Sequence, residues 1–252
     1  MLVAGSSPVC KECFDGLREQ TGTLCVRCGE AMDLDGLHYR RQFGAAALQC
    51  GACRMAPPQF ERAAAWGLYE DDMRELVHLL KYERVSSAAR PLGSLLARTV
   101  AAMAEEGMPR ELVVVAVPLF GARQRRRGYN QSVLLADEAV RVLRRGDAAW
   151  RLKAAHGALR RVRDTESQFA LAPGGRRRNL KGAFAVADPA AVAGRDVLLV
   201  DDIYTTGATA RECSRVLRQA GAEHVWVATL ARAQREFVSL WDAKPSHELR
   251  AG

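Results

Sequence analysis

The sequence predicts an α/β fold, a mostly parallel sheet flanked by helices and preceded by a small cysteine-rich module, and three observations carry that expectation. Short continuous apolar runs at residues 112–117, 197–200 and 225–230 are separated by stretches of helical period. Strands apolar on both faces belong to a parallel sheet covered on both sides. Six of the seven cysteines lie before position 54, in three Cys-x-x-Cys pairs. The segments richest in Asp, Thr, Gly and Arg directly follow the apolar runs, at the carboxyl ends of strands, where open parallel sheets bind ligands.

In chain order, residues 1–58 are Gly- and Cys-rich with little sustained periodicity and end at Pro57-Pro58. Such a piece cannot build an apolar core and needs a staple. Residues 63–69 suit a strand. Met73, Leu76, Val77, Leu79 and Leu80, and then Leu92, Leu95, Leu96 and Val100, recur at helical spacing. Gly107-Met108-Pro109 ends that region. The run 112–117 is stopped by Pro118, and Val133, Leu134, Ala136, Ala139, Val140 and Leu143 give residues 132–145 a helical pattern. Strand 197–200 is entered through Gly194 and left at two aspartates, helix 208–220 is ended by Gly221, and strand 225–230 follows. The expected organisation is a cysteine-rich module over 1–58, the α/β domain over 59–232, and a peripheral tail over 233–252.

A net charge of +8 and a pI near 9.4 favour anionic partners such as phosphates or nucleic acid, although general arginine abundance gives the same number. No apolar run approaches the ~20 residues of a membrane span, so no membrane insertion is expected. The N-terminus lacks a charged n-region and a long apolar h-region, so a cytoplasmic location is the default expectation.

The segment after strand 197–200 has separate jobs built into it. Asp201 and Asp202 arrive at the sheet edge as adjacent carboxylates, able to accept hydrogen bonds from a ribose diol. Thr205, Thr206, Gly207, Ala208 and Thr209 then open a helix. Gly207 permits a tight turn and close approach of an anion. Exposed amides, hydroxyls and the positive helix end suit a phosphate monoester. No Gly-x-x-x-x-Gly-Lys-Ser/Thr occurs, which excludes a nucleotide P-loop. Four apolar residues, two acids and Thr-Thr-Gly-x-Thr resemble the phosphoribosyl-pyrophosphate (PRPP) motif of the type I phosphoribosyltransferases, which implies that family's fold.

A second motif follows strand 112–117: Arg123, Arg125, Arg126, Arg127, Gly128, Tyr129, Asn130 and Gln131, just before a helix. Alone, three consecutive arginines read as a solvated patch. Beside a PRPP loop they supply the forked donors a pyrophosphate needs. Val117-Pro118-Leu119, Arg123 and Arg127-Gly128-Tyr129-Asn130-Gln131 resemble the ComF family of competence-associated, amidophosphoribosyltransferase-like proteins. So do Gln168, Leu171, Arg176, Asn179 and Phe184, with Tyr69 and Lys81-Tyr82 fitting the family's upstream helix. The resemblance implies PRPP held by Asp201, Asp202, the 205–209 loop, Arg123, Arg127 and Asn130, with magnesium chelated by its pyrophosphate. Residues 160–181, rich in arginine, read as a mobile basic arm; Arg176 is its candidate for meeting departing pyrophosphate beside the catalytic pair Asp201 and Asp202. A basic linker or nucleic-acid-facing loop reads equally well.

Cys25-x-x-Cys28 and Cys50-x-x-Cys53, 21 residues apart, have the spacing of a zinc ribbon, a closed structural site. Cys10 and Cys13 form a pair without a matching partner; ComF relatives often carry a fourth pair upstream. An upstream start, a vestige, and competition for the single metal all remain open. Cys213 reads as a small buried hydrophobe, and His78 as structural.

Two functions follow. One is a glycosyltransferase that binds PRPP-Mg and moves its phosphoribosyl group to an unknown acceptor, releasing pyrophosphate. The other is a non-catalytic or PRPP-regulated accessory that handles single-stranded DNA in competence and DNA uptake, for which the resemblance implies a helicase partner.

Overall fold

The backbone of the fold is the nine-residue strand Asp196–Tyr204, whose Val197, Leu198, Leu199 and Val200 are all nearly inaccessible. A strand buried on both faces requires layers on both sides, and the rest of the chain supplies them. The computed structural model describes residues 11–32, 48–83, 85–164 and 180–233. Its strands are β1 (Arg62–Leu68), β2 (Glu111–Ala116), β3 (Arg151–Ala154), β4 (Leu159–Arg161), β5 (Phe184–Val186), β6 (Asp196–Tyr204) and β7 (His224–Arg232). Its helices are α1 (Lys11–Asp15), α2 (Gly51–Met55), α3 (Asp71–Tyr82), α4 (Ala89–Glu105), α5 (Gly121–Arg127), α6 (Gln131–Gly146) and α7 (Ala208–Gln219). Five strands form one sheet in the order β1-β7-β6-β2-β3, every pair parallel. β4 and β5 make a separate antiparallel pair.

Alternation along the strands divides the interior into two cores. On one face Val114, Ala116, Leu198, Val200, Ala228 and Leu230 pack with leucines and methionines of α3, α4 and α6. On the other, Val113, Val115, Val197, Leu199, Val225 and Val227 pack with α7, with Leu159 and Phe184 of the small hairpin, and with Cys25, Cys28 and Cys53. Truncating one of these leucines to alanine is expected to cost about 2–5 kcal/mol. The cysteine-rich segment therefore shares the sheet's second core. α1 and Leu17 lean on the first, where the amide of Gln20 donates to the carbonyl of Trp66.

The expected strands and helices of the α/β region are present, with bounds shifted by a residue or two, and three differences matter. β6 does not end at Val200: it runs through both aspartates to Tyr204, because β7 keeps pairing with it as far as Tyr204 opposite Arg232. The arginine segment, read as a loop, contains helix α5, closed by Gly128 in the left-handed region (φ 87°) with its amide on the Gln124 carbonyl. The basic arm is not loop throughout: Arg160 and Arg161 lie in β4, paired with Ala185 and Phe184. Gln168, Leu171, Arg176–Arg178 and Asn179 lie outside the described residues, as do Cys10 and residues 234–252.

Candidate functional site

Strand β6 carries Asp201 and Asp202 to the sheet's carboxyl edge, where the start of α6 meets both carboxylates and α3 meets Asp202 as well. Asp202 is buried, and its Oδ2 takes an ion pair from Lys81 Nζ of α3 at 2.8 Å and a hydrogen bond from Gln131 Nε2 of α6 at 3.0 Å. Its Oδ1 accepts from the Ile203 amide at 2.7 Å. Asp201 Oδ1 accepts from Ser132 Oγ at 3.0 Å and from the Asp202 amide at 2.9 Å. Desolvation, and then the neighbouring Asp202 charge, push the Asp201 carboxyl up to about 7. Burial pulls the Lys81 ammonium down, but Asp202 and then Asp201 more than offset this, so Lys81 is held above its ordinary value. The edge therefore holds Asp202 gripped by three donors beside Asp201, whose carboxyl is raised toward neutrality.

Helix α6 is aimed at this pair by its own cap. Asn130 is buried; its Oδ1 accepts from the Ser132 amide at 3.0 Å and its Nδ2 donates to the Val117 carbonyl at 2.9 Å. That N-cap, of a kind worth about 1 kcal/mol, locks the helix start to the end of β2. It sets Gln131 and Ser132 against the acids. In this structure the Asn130 side chain caps α6 and ties its start to Val117.

After Tyr204 the chain turns through Thr205 and Thr206 to Gly207 (φ 74°), the N-cap of α7. A Cβ at position 207 would collide with the Tyr204 hydroxyl, so glycine is required both by torsion and by space. Thr206 Oγ1 is buried and has no hydrogen-bond partner among the described residues. Thr205 and Thr209, on either side of it, line the cavity at the start of α7, where hydroxyls and the positive helix end suit a phosphate.

A cavity of about 320 Å³ lies over both motifs; its walls include Lys81, Arg123, Arg127, Arg161, Asp201 and Thr205. Arg127 stacks on Tyr82 at 5.4 Å and bonds to Gln131 Oε1; Arg123 lies 3.5 Å from Asp164. Arg161, in β4, is held below its ordinary value by burial and then by Arg123. A wall of arginines facing two acids suits a ligand with a polyanionic end and a hydroxyl-bearing middle.

The expected zinc quartet is brought together: the sulfurs of Cys25, Cys28, Cys50 and Cys53 all lie within 4.8 Å of one another. Hydrogen bonds from the Cys28 and Cys53 thiols hold the Cys25 thiol well below its ordinary range. The same bonds push Cys28 up to about 12 and raise Cys53. Four converging thiols fit a tetrahedral thiolate-bound cation such as zinc, which takes the protons' place. Cys13 is not in this group; it sits on α1, packed against the first core. Cys213 is fully buried, and burial pushes its thiol well above its ordinary value.

The structure thus gathers Asp201, Asp202, Thr205, Thr209, Arg123 and Arg127 around one cavity. Arg176, outside the described residues, cannot be placed there. Lys81, Gln131, Ser132 and Arg161 belong to the site by contact and were not singled out as ligands from the sequence. Lys81 and Gln131 lie within the Lys81-Tyr82 and Arg127–Gln131 motifs, but nothing local to either marks its contact with the acids.

Residues 93–246 match the phosphoribosyl transferase domain. The chain is 35% identical to the DNA utilization protein YhgH of Salmonella typhi over 225 residues, 89% of this chain and 90% of the relative. To YhgH of Escherichia coli strain K12 it is 35% identical over 232 residues, covering 92% and 93%. To competence protein F of Haemophilus influenzae it is 32% identical over 211 residues, covering 83% and 84%. With a matching domain over more than half its length and relatives aligned nearly end to end, this chain is a member of the ComF family of phosphoribosyltransferase-like proteins.

Proposed function

We propose that the protein binds PRPP with magnesium and transfers its phosphoribosyl group to an acceptor, releasing pyrophosphate. The observation that carries this reading is the shared cavity, which brings together an acid pair, Thr205 and Thr209 of the loop, and an arginine wall. Thr205–Thr209 receive the 5-phosphate, Asp201 and Asp202 the ribose hydroxyls, and Arg123 and Arg127 the pyrophosphate. Lys81 and Gln131 occupy one Asp202 oxygen, so few carboxylate positions remain for a bare metal ion. That arrangement fits magnesium carried in on the substrate's own phosphates, where it offsets their charge.

In the transfer, the bond from the anomeric carbon to pyrophosphate breaks with its electron pair leaving on pyrophosphate, while the acceptor's lone pair forms the new bond. The arginines stabilise the charge that gathers on the leaving group. The acceptor sheds a proton, and Asp201, titrating near neutrality, is the group in the cavity able to take it. Calorimetry with PRPP and magnesium tests the binding, and mass spectrometry of turnover mixtures tests the transfer. Saturable binding abolished by Asp201→Ala with Asp202→Ala is expected. Absence of binding to the unaltered protein sinks the proposal.

A second reading, a single-stranded DNA-handling accessory in competence and DNA uptake acting beside a helicase, is favoured by the relatives' names and by the arginines on α5. A single-strand titration at two salt concentrations tests it, since phosphate contacts make affinity fall steeply with salt. Equal binding at both concentrations, or none at low salt, rules it out.

A further inference from the structure

Gly207, the pivot of the phosphate loop, is gripped from two sides, and both grips lead back to the cysteines. On one side the Tyr204 hydroxyl lies against Gly207, leaving no room for a Cβ. The Tyr204 ring carries the Arg232 guanidinium at 4.4 Å. Arg232, a cation only 3% exposed at the end of β7, bonds the Cys28 carbonyl and Glu30 and reaches Cys28 Sγ at 3.9 Å. On the other side the amide of Arg211 donates to the Gly207 carbonyl at 2.9 Å, the first hydrogen bond of α7. The Arg211 guanidinium donates to the Ala56 carbonyl at 2.6 Å and reaches Cys53 Sγ at 3.8 Å. One arm thus ends on the first Cys-x-x-Cys knuckle and the other on the second.

We infer that the four-cysteine cluster positions the phosphate loop: closing the two knuckles around a thiolate-bound cation fixes Gly207 through Arg232–Tyr204 and through Arg211, which are positioning residues for phosphate binding. A buried guanidinium is costly unless it is well partnered, and Arg232 takes its partners from the Cys28 knuckle, from Glu30 and from the loop-bearing Tyr204. If the knuckles separate, Cys28 and Cys53 move relative to each other, and the two arms pull Gly207 apart from its partners. The inference rests on the reading of Thr205–Thr209 as a phosphate cradle for its consequence, but not for the mechanical tie itself.

Hydrogen exchange on the full reduced chain tests the tie without any ligand. Peptides covering residues 205–211 are expected to exchange about tenfold faster in chelator-treated protein than in zinc-loaded protein, while residues 112–117 of the central sheet keep their protection. Arg211→Ala, with zinc content unchanged, should loosen the same loop amides, and Arg232→Lys should do so as well. Loop protection equal in loaded and stripped protein, or unchanged in zinc-replete Arg211→Ala, overturns the inference. If chelation unfolds the chain throughout, the zinc-replete Arg211→Ala protein decides alone. Titration with ribose 5-phosphate adds the consequence: about tenfold weaker binding by Arg211→Ala than by the unaltered protein is expected. No binding by any form sinks the phosphate-cradle reading, and the exchange contrast still judges the tie.

Discussion

Asp202 and Cys25 are both buried polar groups, yet one is surrounded by partners of other chemistry and the other by its own kind. Asp202 has a lysine, a glutamine and a backbone amide. Cys25 has three more thiols within reach of its own sulfur. The acid site is satisfied from within by two helices, so its shape is a property of the fold. The four cysteines are grouped as ligands for a cation, and with one bound the site's shape would be a property of the loaded protein. One chain thus holds a site built by packing and a site shaped for coordination, and the two are expected to fail differently.

The largest effect is expected at the coordination site. Structural zinc supplies on the order of 10 kcal/mol in small domains. Cys25→Ser should take metal content from about one zinc per chain toward zero and lower the melting temperature by more than about 10 °C. A variant that melts with the unaltered protein breaks the comparison. Next is Lys81→Met, which leaves the Asp202 charge buried without its cation and should cost about 3–5 kcal/mol in denaturant unfolding. Adding Asp202→Asn should recover most of it. A loss no larger than that of an exposed pair would show the acid site to be less closed than its contacts indicate.

Gly207→Ala strains the left-handed pivot and crowds the Tyr204 hydroxyl. A cost of about 1–3 kcal/mol is expected, read as weakened PRPP binding with retained zinc. Loss of zinc in this variant would show that the loop holds the cysteines rather than the reverse. The smallest effect, once solvent at the half-buried Asp201 screens the shift, is a pH dependence. Asp201 is raised in the folded state, so between about pH 4 and 7 the native protein holds a proton that the unfolded chain has released. That contribution is fully present below the unfolded value and is lost as pH rises through about 7. Asp201→Asn should therefore gain a few degrees on the unaltered protein between pH 4.5 and 8, by differential scanning calorimetry. A constant difference would place Asp201 in an ordinary, solvated environment.

What was legible in the sequence follows the same division. The cysteine quartet reads from spacing, since coordination needs only four ligands on two tight turns. The Asp-Asp and Thr-Thr-Gly-x-Thr elements read from their place after an apolar run, and the parallel sheet reads from strands such as 197–200. β3 was not legible: Arg151 and Lys153 interrupt it, and its strand character comes from pairing with β2. The extension of β6 past Val200 comes from β7, not from its own residues. Lys81 and Ser132 reach the acids through the folding of α3 and α6 over the sheet edge, a contact across 121 and 69 positions that no local pattern encodes. Arg232 and Arg211 were hidden for the same reason.

The strand order has a bearing on how the chain is made. β1 lies near the start of the described chain, yet its one neighbour in the sheet is β7, with Arg62 opposite Trp226. During synthesis β1 emerges with its hydrogen-bonding edge unmatched and must wait for nearly the whole remaining chain. Such long-range pairing is slow and leaves an edge exposed to other chains. The cysteine knuckles, closed within a span of 29 residues from Cys25 to Cys53, have no such delay before they meet one another. Their docking partners, Arg211 and Arg232, arrive last. The knuckles can thus meet early, and the final strand, which brings Arg232 to Cys28, is the step that seats them.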